Sequence, residues 1–181
     1  QREGRYRHLP ITYSGLVRHV REAYRADVAF CVVSKPDAEG RVSLGLSVEM
    51  TALVLGRAKC KVAFVNSNMP FVPHSVSFPL SDFDHVIETD APLATYDNGP
   101  PSEEALAIAG HLAAIIDDGA TLQTGLGKVP DAILRALRDH RRLRMHSGMV
   151  ADGVVGLAEA GALDENHEHV TCGILGTATL Y

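Results

Sequence analysis

Short apolar runs of strand length alternate with segments of helical spacing along the whole chain. The runs fall at residues 28–33, 61–66, 84–88, 121–124, 143–146 and 170–175; the helical segments fall at 15–24, 48–58, 102–117, 130–137 and 153–160. This alternation predicts an α/β fold with mostly parallel open sheets flanked by helices and joined by right-handed crossovers. Val28-Ala29-Phe30-Cys31-Val32-Val33 is apolar without interruption, the pattern of a strand covered on both faces. Ser47 is placed to cap the helix from Val48, and Ser102 to cap the next, with Glu103 and Glu104 in the first turn where the helix dipole favours them. Apolar residues surround most of the axis over 102–117, which predicts deep packing. Pro130 suits the first position of its helix. Residues 68–81 contain Pro70, Pro73 and Pro79 and read as an irregular crossing, and Pro100-Pro101 marks a boundary near residue 100.

Composition excludes several classes. A net charge of −5 argues against nucleic acid as the main partner, and the absence of Trp with only 6% aromatics leaves little to stack on bases. No apolar run approaches the roughly 18 residues of a membrane span. Gln1-Arg2-Glu3-Gly4 shows neither an initiator Met nor a charged-then-apolar leader, so the start reads as internal to a longer pattern. Cys31, Cys60 and Cys172 each sit in an apolar run and are expected to be buried reduced thiols of a cytoplasmic protein. His167-Glu168-His169 lacks ligand spacing and lies in a polar connection, so no metal site is expected.

The sharpest local pattern is Thr121-Leu-Gln-Thr-Gly-Leu-Gly-Lys-Val-Pro130, a strand running through Gly-x-Gly into a helix. Backbone N–H groups at such a turn suit a phosphate, a carboxylate or a thioester oxyanion; the competing reading is a tight strand-to-helix connection. It is not a phosphate loop of the Walker type, since position 122 is Leu and position 129 is Val, and it lacks the third Gly of a dinucleotide fingerprint. Arg135, Arg138, Arg141, Arg142 and Arg144 cluster beside it, either to meet phosphates or to decorate a solvated helix end. Asn66 and Asn68, before Met69-Pro70, end a strand where open sheets bind ligands, or else brace the loop.

Six segments in order resemble the acetyl-CoA hydrolase/transferase family, CoA-transferases of the 4-hydroxybutyrate type. They are Leu9-Pro10-Ile11, Val33-Ser34-x-Pro36-Asp37-x-x-Gly40, Ser43-Leu44-Gly45-x-Ser47, Asn66-x-Asn68-Met69-Pro70, Leu122-Gln123-x-Gly125-x-Gly127-x-x-Pro130-Asp131, and Asp152-Gly153-Val154-Val155-x-Leu157-x-Glu159-Ala160-Gly161. The resemblance spans essentially the whole chain and looks like a middle portion of the family pattern. It implies that residues 1–100 close an N-terminal CoA-transferase-like domain and its linker, and that 101–181 open a C-terminal one. It further implies an acyl-CoA and a small carboxylate as substrates, no tightly bound cofactor, and association with a second copy or a partner chain. Gln123, Gly125, Gly127, Asn68 and Ser47 are candidate CoA- or substrate-binding residues, as is Lys128, which stands where the family has a small residue and is placed either to contact a phosphate or to point to water.

The family's chemistry is covalent: a glutamate attacks the thioester, passing through an acyl-glutamyl anhydride to a glutamyl-CoA thioester. That glutamate lies in a His-Ser/Thr-Glu-Met stretch, which here reads His146-Ser147-Gly148-Met149. The neighbours match and the nucleophile is absent. Three expectations compete: a silent CoA-binding or scaffolding subunit, thioester hydrolysis with His146 as the candidate general base, or a carboxylate such as Glu49 taking the vacant role. A fragment of a longer enzyme, completed by other residues, is a further alternative.

Overall fold

The computed structural model describes residues 8–46 and 48–180. Helix α1 (Tyr13–Glu22) starts where the Thr12 hydroxyl accepts the Gly15 N–H. It is followed by β1 (Val28–Val33), β2 (Arg41–Ser43), α2 (Thr51–Leu55), β3 (Cys60–Asn66), β4 (Ser77–Pro79) and β5 (His85–Thr89). The second part contains α3 (Glu103–Ala113), β6 (Thr121–Leu122), α4 (Lys128–Ala136), β7 (Arg144–Ser147), α5 (Gly153–Glu159) and β8 (Val170–Thr171). Two parallel three-stranded sheets result, ordered β1-β3-β5 and β6-β7-β8, with β2 and β4 as an antiparallel pair. The expected α/β class with mostly parallel sheets and flanking helices is what the chain adopts.

In the first sheet the core gathers Ala29, Cys31 and Val33 of β1 with Ala63 and Val65 of β3, Leu55 of α2, and Val42 and Leu44 from the β2 side. Strand β1 alternates exposed and buried, so the reading of a strand covered on both faces is corrected. Phe30 is 72% exposed and packs edge-on against Phe64 across the open face. Composition could not separate the faces because both carry apolar residues. Burial pushes the Cys31 thiol up to about 11, whereas Cys172 is exposed, against the expectation that all three thiols are buried.

Residues 33–46 make a braced turn. The Asp37 carboxylate accepts the N–H groups of Glu39 and Arg41, and Gly40 takes φ +74. The Ser34 hydroxyl accepts the Ser43 N–H, and the Ser43 hydroxyl accepts that of Gly45. Gly45 has φ +62, and the Met69 sulfur occupies the place a Cβ would take. Helix α2 is shorter than predicted, because Val48 to Met50 form a turn in which Glu49 has φ +34. The expected Ser47 cap lies outside the described residues. Strands β2 and β4 were not legible in sequence, since three residues show no periodicity; Arg41 joins them through Ser77.

Around the second sheet, Leu134 and Leu137 of the α4 side, Leu143, and Leu157 of α5 form a fully buried cluster. Helix α3 packs Ala105 and Ala109 on α4 through Ala132, while Leu106 and Ile108 remain exposed, so it is half-packed rather than deeply packed. Two small residues are all that its α4-facing stripe buries. Pro130 stands third in α4, still in the first turn where its missing N–H has no intrahelical partner to lose. Among the described residues no helix is long and apolar enough to cross a membrane.

Candidate active site

The carboxyl ends of β6, β7 and β8 form one edge, and the connections leaving β6 and β7 carry the glycine turn and Gly148. Gln123, Gly125, Gly127 and Lys128 follow β6; Gly148 follows β7; Cys172 follows β8. Ligands of open parallel sheets lie outside such an edge. Gly127 caps α4 with φ +118, a backbone conformation that excludes ordinary side chains and turns the chain sharply into the helix. Gly125 and Lys128 are exposed, and the Gln123 side-chain amide donates to the Thr124 carbonyl.

Ser147, 3% exposed, ties this turn to the β7 edge. Its hydroxyl accepts the Thr124 N–H at 3.2 Å and shares its one proton between the Met149 carbonyl at 2.6 Å and the Thr124 carbonyl at 3.1 Å. Gly148 is therefore held beside the glycine turn. A Cβ built on Gly148 meets nothing within 4 Å, and its φ is not in the left-handed region. The backbone there would carry a side chain without strain. Ser147 was not singled out in the sequence; the signal was its place between His146 and Gly148.

The two halves meet at this edge. The Ile174 N–H donates to the Leu46 carbonyl at 2.7 Å and the Val48 N–H to the Cys172 carbonyl at 3.1 Å. The Cys172 N–H in turn donates to the Gly148 carbonyl at 3.2 Å. Glu49, one residue beyond Val48, is exposed at this junction. The Tyr13 phenol is raised above its ordinary value by partial burial and by the charges of Glu49 and Cys172, which puts the three groups in one electrostatic neighbourhood. An apolar cleft of about 440 Å³ lies alongside, lined by Leu46, Phe64, Met69, Leu93 and Ile174 among others.

The remaining candidates divide. His146 is exposed on β7. The Asn68 amide is engaged in bracing, donating to the Asp90 carbonyl at 2.8 Å and more weakly to that of Ala91, while Asn66 also donates to Ala91. Its bracing role is thus the one the geometry displays. Three of the clustered arginines have neighbours elsewhere: Arg135 pairs with Asp131, Arg144 with Asp164, and the Arg138 guanidinium lies against Gly156. The Arg144 hydrogen bond holds the Asp164 carboxyl below the usual carboxylate range. His169 accepts the Met145 N–H, and among the described residues no three potential ligands gather for a metal ion.

Two parallel three-stranded sheets with flanking helices, joined where the 172–174 segment bonds to Leu46 and Val48, define an α/β protein. A family model described as the acetyl-CoA hydrolase/transferase N-terminal domain matches residues 1–95. The 4-hydroxybutyrate coenzyme A transferase of Clostridium kluyveri is 36% identical over 161 residues, 86% of this chain and 38% of that protein. The succinyl-CoA:cyclohexane-1-carboxylate CoA transferase of Geobacter metallireducens is 32% identical, over 96% of this chain and 41% of its own length. The solved 4-hydroxybutyrate CoA-transferase of Porphyromonas gingivalis superposes with a TM-score of 0.88 at 35% identity, covering 96% of this chain and 46% of that one. RipA from Yersinia pestis, at 24% identity and a TM-score of 0.89, shares the fold. The chain belongs to the acetyl-CoA hydrolase/transferase family. It spans about two-fifths of the length of these curated relatives.

Proposed function

We propose that this chain contributes to an acyl-CoA site that moves CoA between an acyl-CoA and a small carboxylate, or hydrolyses the thioester, with the family's attacking glutamate replaced by Gly148. In this reading residues 1–100 close one CoA-transferase-like domain and 101–181 begin another. The observation that carries it is the edge where the Gly125–Gly127 turn, Gly148 and the 172–174 segment come together. N–H groups at such a turn favour developing negative charge on a thioester oxygen. No resident cofactor is invoked; coenzyme A enters as substrate. A reducing compartment such as the cytoplasm suits the free thiols. Association with a second copy or a partner chain suits the open apolar face around Phe30.

The test is exchange between acetyl-CoA and a labelled carboxylate, read as new CoA thioester, in the protein and in Gly148→Glu. Gain of exchange in the variant supports an inherited site lacking only its nucleophile. The open space at Gly148 favours one other reading, a CoA-binding subunit without chemistry; saturable CoA binding with no turnover would select it. Absence of CoA binding would refute both.

A further inference from the structure

Strand β8 is two residues long, yet the segment it opens runs between the two halves of the protein. It pairs with β7 through His146 with Val170 and Ser147 with Thr171. Further along, the Val150 N–H donates to the Gly173 carbonyl, the Ile174 N–H to that of Leu46 and the Tyr96 N–H to that of Gly176. At the head of this strap the tie to β7 is a side chain. The Met145 N–H of β7 donates to the His169 Nδ1 at 3.1 Å, one residue before β8 begins. A backbone N–H can only donate, so Nδ1 is the bare nitrogen and the ring proton sits on Nε2. A protonated imidazole carries N–H on both nitrogens and leaves Met145 no acceptor. The hydrogen bond belongs to the neutral ring, and imidazoles change charge between about pH 5 and 8.

The surroundings single out this group. Its own connection carries the exposed Glu165 and Glu168, and His167, whose ring centroid lies 6.0 Å from that of His169. Strand β7 carries the exposed His146, and Arg144, whose Nε lies 3.2 Å from the Asp164 carboxylate. The Arg144 hydrogen bond holds the Asp164 carboxyl below the usual carboxylate range, so this second tie between the connection and β7 stays ionised where imidazoles titrate. His167 is the rival source of pH dependence.

We propose that His169 is a pH-sensitive latch that holds the head of the 170–176 strap on β7 when its ring is neutral and releases it when the ring is protonated. This holds whether or not the neighbouring edge takes acyl-CoA. Protonation sets a ring N–H against the Met145 N–H, and should favour local opening by roughly tenfold.

The experiment measures amide hydrogen exchange by NMR at pH 8 and pH 5.5, each rate divided by its intrinsic value at that pH. The expected result is that protection at Met145, and at Cys172 whose N–H bonds to the Gly148 carbonyl, falls roughly tenfold at the lower pH. Protection at Leu137, in the buried α4 cluster, should hold. His169→Ala should show weak protection at Met145 at both pH values, and His167→Gln should keep the parent's fall. Equal protection at Met145 at the two pH values overturns the latch, as does an equal loss at Leu137, which marks general acid unfolding. A fall that survives in His169→Ala, or vanishes in His167→Gln, overturns it as well. The parent and His167→Gln both retain the latch, so their comparison decides even if His169→Ala does not fold.

Discussion

Replacing Gly153 by Ala tests the packing that fixes α5 against α4, and through it the β7 edge. A Cβ at Gly153 would lie 2.8 Å from the Asp131 Oδ1, 2.9 Å from the Leu134 Cβ and 3.0 Å from its Cδ1. Leu134 is 1% exposed and its Cβ is tied to the helix backbone, so it cannot swing aside. The helices must separate, and overpacking of this kind costs about 1–3 kcal/mol. Gly153 opens α5, so alanine regains less there than the roughly 0.5–1 kcal/mol it gains over glycine in a helix interior. The net loss is then about 0.5–3 kcal/mol, or a fall of about 1–12 °C in Tm for a chain of this size. Gly148→Ala provides the contrast: with clear space and an unstrained backbone it should be neutral or gain up to about 1 kcal/mol. Thermal and urea unfolding of the two variants beside the parent would decide. A Gly153→Ala protein as stable as the parent, or a Gly148→Ala protein less stable than Gly153→Ala, would refute the packing argument.

Removing the Ser147 hydroxyl in Ser147→Ala strands the Thr124 N–H and the Met149 carbonyl, which should cost about 1–3 kcal/mol in urea unfolding and weaken CoA binding by loosening the glycine turn. At mildly alkaline pH, alkylation followed by peptide mapping should label Cys172 rapidly and leave Cys31 unlabelled until urea opens the fold. The raised Cys31 value also has a stability sign: the unfolded thiol ionises first, so the protein should lose stability as pH climbs from about 8.5 towards the folded value near 11, and Cys31→Ala should flatten that limb of a urea-midpoint titration. Asp164 works in the opposite sense. Its carboxyl is lowered by Arg144, so its contribution is present above about pH 4 and lost as pH falls through the lower folded value; Asp164→Asn should remove that part of the acid dependence.

The α/β class and the order of most elements were legible because strand-length apolar runs and helix-start residues are local signals. Thr12 and Ser102 cap α1 and α3 through interactions spanning three residues. The glycine turn was legible for the same reason, as was the glycine at 148. Faces were not. Phe30 and Cys31 are neighbours of similar apolarity, and only the position of α2 and of the β2–β4 pair decides that one is open and the other buried. Strands as short as β2 and β4 form through partners 36 residues apart, a distance no local pattern reports. The union of the glycine turn, Gly148 and Cys172 likewise depends on hydrogen bonds between segments more than twenty residues apart. Sequence alone determined which groups these residues bring. Tertiary structure alone decided which stand side by side, because strand register and burial are properties of the packed chain.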